Sequence, residues 1–187
     1  MKRGGIGGAK TQKAGARFEE STAQDFLQDF LETGYLQTLE HRPKSNPGTL
    51  HGISLKNEQG KPLEIYYQDG IYKLLFEPKG IDWKEHFSAR LKPDTAIYSP
   101  DKKVLTIVEK KQQEAEGSVA EKLQTCDYKL TYYKTLAEPL GIRVELIWLL
   151  GPYFEKRQET LKSVFKYMKE KGSKYYFRRI PINEISI

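Results

Sequence analysis

Residues Ile142 to Leu150 (IRVELIWLL) form a run in which nearly every side chain is apolar, and no other stretch narrows the possible folds as far. A strand that avoids water on both faces belongs inside a sheet covered on both sides. Upstream, Val119, Leu123, Cys126, Leu130, Tyr133 and Ala137 recur at alternating spacings of four and three, behind a Ser118-x-x-Glu121 capping box. Earlier still, Val104 to Glu109 (VLTIVE) has strand composition. A helix of about twelve or more residues between two strands is what a parallel crossover requires. The chain is therefore expected to be an α/β protein with helices on the faces of its sheet.

The remaining segments are placed around this unit. Phe18, Phe26, Leu27, Phe30 and Leu31 recur at helical spacing over Arg17 to Thr33, and Gly34 suits the helix end. Residues 35 to 62, with Pro43, Pro47, Gly48, Gly52, Gly60 and Pro62, read as loop. Leu63 to Tyr67 and Ile71 to Glu77 read as a hairpin around Gln68-Asp69-Gly70. A short helical turn is expected within Ile81 to Arg90, a last helix over Phe154 to Lys171 ended by Gly172, and an edge strand over Lys174 to Arg179. No internal repeat is found. With 187 residues, 38% of them hydrophobic, residues 1–187 are expected to be one domain with a proper core.

The net charge of +6 with 12% aromatics favours a polyanionic partner such as nucleic acid. A single cysteine, Cys126, excludes an internal disulfide framework and a cysteine-rich zinc site, and lies on an apolar helical stripe as a buried structural thiol. No apolar run reaches about 18 residues, so no membrane partner is expected and the chain reads as cytoplasmic. Residues 1 to 16 form a basic, glycine-rich arm that is expected to be flexible without a ligand. Gly4 to Thr11 approaches a phosphate-binding G-x-x-x-x-G-K-[ST] loop, but Ala9 stands where glycine is required and no strand precedes it, which argues against an ATPase.

The chemistry concentrates at Pro93-Asp94 and Glu109-Lys110-Lys111. Residues 94 to 98 and 104 to 109 have strand composition, separated by the turn-like Ser99-Pro100-Asp101-Lys102-Lys103. A hairpin centred on Asp101 and Lys102 puts Asp94 opposite Glu109, with Cβ atoms about 4.5–5.5 Å apart. Lys111 shares their face, because strand side chains alternate. Two carboxylates about 5 Å apart repel by roughly 3 kcal/mol at an effective dielectric near 20. A cation between them is expected, and Mg²⁺, which takes one or two carboxylates with retained waters, fits the pair. The plain alternative is a surface hairpin with an ordinary charge cluster. His41, His51 and His86 share no metal-ligand spacing.

These residues and the element order resemble the PD-(D/E)XK nuclease superfamily, in its type II restriction endonuclease form. Pro93-Asp94 and Glu109-x-Lys111 match its motif, and Gly7-Gly8-Ala9-Lys10-Thr11, Gly15 and Phe18-Glu19 resemble the approach to its first helix. Glu109-Lys110-Lys111-Gln112-Gln113, then Gly117-Ser118-Val119 and Glu121-Lys122-Leu123-Gln124, also match the restriction-enzyme form. The likeness covers residues 4 to 20 and 90 to 150, and residues 35–80 are where such nucleases carry DNA-recognition insertions. It implies a restriction-endonuclease-like core with a mixed sheet, antiparallel meander plus parallel strand, flanked by helices. It further implies a Mg²⁺-dependent endodeoxyribonuclease that cuts a specific site in double-stranded DNA, as a homodimer or one subunit of a heterodimer.

By that resemblance Asp94, Glu109 and the main-chain carbonyl of Lys110 hold one or two Mg²⁺ ions, and Lys111 positions the attacking water. Glu19 matches an extra acid brought by the first helix, with Glu20 beside it; a salt bridge to Arg17 or Lys122 is the alternative. Gln113 continues the alternation and touches a phosphate or water, or else is a solvated strand end. Gln124 and Tyr128, a Q-x-x-x-Y pair, flank the apolar stripe and read as packing. Lys10, Lys13, Arg17 and the basic residues of 42 to 61 are candidates for phosphate contact. A structure-selective nuclease, such as a Holliday-junction resolvase or repair nuclease, and a non-catalytic DNA-binding module are the competing functions.

Overall fold

The computed structural model describes residues 26–113 and 119–187. Glu19, Glu20, Lys10, Lys13, Arg17 and the capping serine Ser118 lie outside the described residues. A first helix, α1, is described over residues 26–32. The strands are β1 (Leu36–His41), β2 (Gly52–Lys56), β3 (Pro62–Tyr66), β4 (Thr95–Ser99), β5 (Val104–Lys111), β6 (Arg143–Leu150) and β7 (Ser173–Phe177). Helices α2 (Val119–Leu123) and α3 (Cys126–Ala137) connect β5 to β6, and α4 (Pro152–Glu155) and α5 (Lys162–Glu170) connect β6 to β7.

All seven strands form one mixed sheet in chain order, β1 to β7. The pairs from β1 through β5 are antiparallel, while β5–β6 and β6–β7 are parallel. The α/β architecture expected from the apolar run at 142–150 is therefore present, with β6 almost entirely buried. Alternation along β5 and β6 sends Leu105, Ile107, Leu146 and Trp148 to one face, where α3, α5 and the segment 71–91 cover them. Val108, Ile147 and Leu149 point to the other face, against Phe26 and Phe30 of α1 and the C-terminal Ile180 and Ile185. Each such fully buried side chain contributes about 1.5–3 kcal/mol relative to exposure.

Four segments differ from the sequence reading. Residues 35–62 are not a loop but hold β1 and β2. Their prolines and glycines gather at the connections, where Asn57 Oδ1 accepts from Gln59 N and Lys61 N at 3.0 and 2.9 Å. Between the turns, Ile53, Leu55, Leu63 and Ile65 are buried with strand alternation.

The second arm of the expected hairpin at 63–77 is helical instead. Ile71, Tyr72, Leu75 and Phe76 are the buried positions, a spacing of three to four rather than two. Tyr72 N and Lys73 N both donate to Asp69 O, at 3.1 and 3.2 Å, so the Asp-Gly turn opens a π-helical turn over Tyr72–Phe76.

The long helices at 118–137 and 154–171 are each broken in two. Thr125 Oγ1 donates back to Lys122 O at 2.7 Å and ends α2, a backbone competition that favours a break. In the other, Pro152 starts α4 at its first turn, and residues 156–161 form turns before α5.

Gly70 makes the tightest backbone approach here: a Cβ on it would lie 1.7 Å from His51 O. Gly70→Ala is expected to destabilise the protein by about 1–3 kcal/mol or more. Gly48→Ala, whose Cβ would meet only Asn46 Oδ1 at 3.5 Å, should stay within about 0.5 kcal/mol of the parent. Urea unfolding of both variants checks this, and equal stability of the two would contradict the packing at Gly70.

Candidate active site

The register of β4 and β5 runs Ser99↔Val104 to Thr95↔Val108, so the next step outward sets Asp94 opposite Glu109. The turn is centred between Asp101 and Lys102, as its composition implies. Asp94 is anchored by the backbone: its Oδ2 accepts from Lys110 N at 2.6 Å. Glu109 is fixed from the other side, beside Trp148 of β6 in the parallel register. Its side chain is 2% exposed, far less than the 13% of Asp94.

Two ammonium groups meet these carboxylates. Lys111 Nζ lies 3.8 Å from Asp94 Oδ2 and 3.7 Å from Glu109 Oε2, between the two acids. Lys129 Nζ, from α3, lies 2.6 Å from Glu109 Oε2. Both lysines sit over the indole of Trp148, at 6.0 and 5.7 Å from its centroid, where the ring quadrupole favours a cation.

Burial dominates the electrostatics of Glu109 and pushes its carboxyl above the usual range. Lys129 opposes that shift, Asp94 adds to it, and Lys111 opposes it. Glu109 Oε1 is buried and has no hydrogen-bond partner among the described residues. An unmatched buried carboxylate oxygen is costly, and an oxygen-seeking divalent ion removes that cost. The donor set therefore fits a hard cation: among the described residues Glu109 Oε1 has no hydrogen-bond partner, while both lysines lie on the Oε2 side. Among the described residues no group of three or more histidines, cysteines or acids is close enough to hold an ion. An ion here would draw on two carboxylates, main-chain oxygen and water, which is the usual habit of Mg²⁺.

The other sequence candidates are distributed as follows. Lys110 sends its side chain to the opposite face, 1% exposed, with Nζ 5.8 Å from the Phe26 ring. Strand β5 ends at Lys111, so Gln113 lies beyond the alternation; its side chain is buried rather than solvated. Gln124 and Tyr128 are exposed on the outer side of the α2–α3 break, and the Tyr128 ring reaches Phe87 and Tyr132 at 6.5 Å each. His41 Nε2 lies 2.7 Å from Ser54 Oγ on the β1–β2 pair. Among the described residues the structure brings together Asp94, Glu109 and Lys111.

Lys129 and Trp148 were not singled out from sequence. For Lys129 a signal was present: it lies three residues after Cys126 and four before Tyr133, two buried positions of the helical stripe. A lysine on that inward side needs a buried acid as partner. No protein-family model matches the chain, and no curated protein matches it.

The raised Glu109 carboxyl fixes the sign of a pH effect. The folded protein keeps this proton to a higher pH than the unfolded chain, so the contribution is full below the ordinary glutamate value, about 4.3. It is lost as pH rises through the folded value. Relative to wild type, Glu109→Gln should therefore gain stability progressively as pH rises from about 4, and level off once the wild-type carboxyl has ionised. Urea midpoints of the two proteins between acid and neutral pH check this. A gain that shrinks with rising pH would mean that the lysines outweigh burial.

Proposed function

We propose that this chain is a Mg²⁺-dependent endodeoxyribonuclease of the PD-(D/E)XK type, with a restriction-endonuclease-like core, that hydrolyses phosphodiester bonds in double-stranded DNA. The observation that carries the reading is the convergence of Asp94, Glu109 and Lys111, with a buried carboxylate oxygen of Glu109 that has no hydrogen-bond partner among the described residues. Asp94, Glu109 and main-chain oxygen at Lys110 would hold one or two ions. The chemistry supplied by bound Mg²⁺ is Lewis-acid polarisation of a phosphoryl oxygen and neutralisation of charge.

The chain's own residues account for the rest. Lys110 N–H fixes one oxygen of Asp94, which orients the carboxylate before any ligand arrives. Lys129 holds Glu109 Oε2 and offsets part of the burial that raises its carboxyl. Lys111, the more exposed of the two lysines, is placed to donate to the attacking water and to offset negative charge on the phosphoryl oxygens. A homodimer, or one half of a heterodimer, working in the cytoplasm is the form proposed for a site-specific cutter.

A structure-selective nuclease is the second reading, favoured by one observation. Residues 36–66 form β1, β2 and β3 of the common sheet rather than a separate excursion that would read a base sequence. The fragment pattern separates the two: discrete bands from plasmid mean a specific site, and cutting confined to cruciform or branched DNA means shape.

Purified protein with plasmid and Mg²⁺ should cut, and EDTA should stop it. Asp94→Asn and Glu109→Gln should each lower the rate by about 10³-fold or more, and Lys111→Ala by about 10²–10³-fold, with duplex binding in Ca²⁺ retained by the lysine variant. Near wild-type cutting by either carboxylate variant would remove the catalytic assignment.

A further inference from the structure

The segment that delivers Asp94 to the sheet also builds a second concave surface. A hollow of about 790 Å³ lies along it, lined by Lys73, Trp83, Lys84, Arg90 and Lys92 among others. It occupies the same face as Glu109: Trp83, Phe87 and Leu91 pack on the cluster that contains Trp148 and Tyr133. Tyr72 fixes the segment from below, its hydroxyl donating to Leu91 O and lying 3.2 Å from the Tyr132 hydroxyl.

Within the hollow, two cations are held by one acid. Arg90 Nη2 lies 2.8 Å from Asp69 Oδ1, and Lys92 Nζ lies 2.6 Å from Asp69 Oδ2. The Arg90 guanidinium also rests over the rings of Tyr72 and Trp83, at 5.2 and 5.9 Å. Tethering this segment needs only one cation on Asp69. A second brings like-charge repulsion with no burial to justify it, for Lys92 is 45% exposed. A guanidinium has five N–H donors, so most of those on Arg90 are not engaged by Asp69. The remaining acids are committed nearby: Glu77 to Lys73 at 2.8 Å, and Asp82 to the Lys84 amide at 3.0 Å.

The chemistry of the ligand follows. Arg90 and Lys84 already stand over the Trp83 ring, so it is not open for stacking a base. What the hollow offers is charge and N–H donors in a fixed array, which suits phosphate oxygens. Its position suits the same ligand as the acids. At no more than about 3.6 Å per residue, Arg90 Cα is within roughly 14 Å of Asp94 Cα. Duplex DNA advances about 3.4 Å per nucleotide, so that reach is about four base pairs.

We propose that this hollow binds the phosphodiester backbone of duplex DNA beside the cut, with Arg90 and Lys92 on neighbouring phosphates and Lys84 at the rim, an assignment that rests on the nuclease reading for its substrate. The test is binding of a 20-base-pair duplex in Ca²⁺, across a salt series, by fluorescence anisotropy. Lys84→Gln/Lys92→Gln is compared with wild type and with Lys162→Gln/Lys166→Gln, an equal charge change on α5. The first pair should weaken binding by about 10-fold or more and flatten the slope of log affinity against log salt by nearly 2, one contact per lysine. The α5 pair should change the slope by less than half as much.

Cleavage of plasmid and of cruciform DNA by wild type in Mg²⁺ is scored separately. Duplex binding with the expected slope change but no cutting supports the hollow and overturns the nuclease reading. Cutting by wild type, together with unchanged affinity and slope in Lys84→Gln/Lys92→Gln, overturns the hollow alone. Absence of any salt-sensitive duplex binding overturns it as well.

Discussion

Burial of β5 on both faces and both edges is the constraint on which the rest of this structure depends. β4 pairs with it on one side and β6 on the other, so every residue from Val104 to Lys110 is buried. A strand in that position can carry charge only where the sheet ends and loops begin. Parallel β5, β6 and β7 finish at one end of the sheet, and antiparallel β4 starts there. Asp94 and Glu109 therefore share the carboxyl end of the parallel strands, the place where open α/β sheets present their binding crevices.

The position carries an energetic cost that shapes the local chemistry. Withdrawing a carboxylate and its partners from water costs several kcal/mol per ion, so the pairing must be close and well formed. Lys129 supplies the close contact to Glu109, and Lys111 spans both acids at longer range. One Glu109 oxygen is nonetheless left without a partner among the described residues. A structural ion pair would gain by satisfying it. Perturbed buried groups of this kind cluster at functional positions.

Tyr72 links that site to the rest of the covered face. Fully buried, it joins the turn after β3 to Leu91 through its hydroxyl and to Arg90 through its ring. Tyr132, within the same contact network, packs against Phe87 in a tilted pair with ring centroids 4.1 Å apart. Segment 81–94 is held by aromatic packing along its length, although it has little regular structure. Asp94 itself stands one residue before β4 and is fixed by the Lys110 amide at 2.6 Å.

Patterns that depend only on neighbours in the chain were legible. The apolar run at 142–150, the helical stripe at 119–137 and the turn at 99–103 give the parallel crossover, and the hairpin register follows from counting outward from Asp101 and Lys102. Asp94, Glu109 and Lys111 could thus be brought to one face from sequence, since strand alternation has a fixed period. Local signals misled where two readings compete. Clustered prolines and glycines hid β1 and β2, because strands this short leave mostly turn residues in view. The buried pairs at 71–72 and 75–76 fit a helix only when their spacing is counted.

What tertiary structure alone decided is which distant groups meet. Lys129 reaches Glu109 because α3 packs on β6, the strand beside β5, and Arg90 and Lys92 share Asp69 because the turn after β3 folds against segment 81–94. Sequence determines the period and the face of each element, since those come from backbone geometry within a few residues. The partner of a buried charge is set by how elements pack, and no local periodicity encodes that.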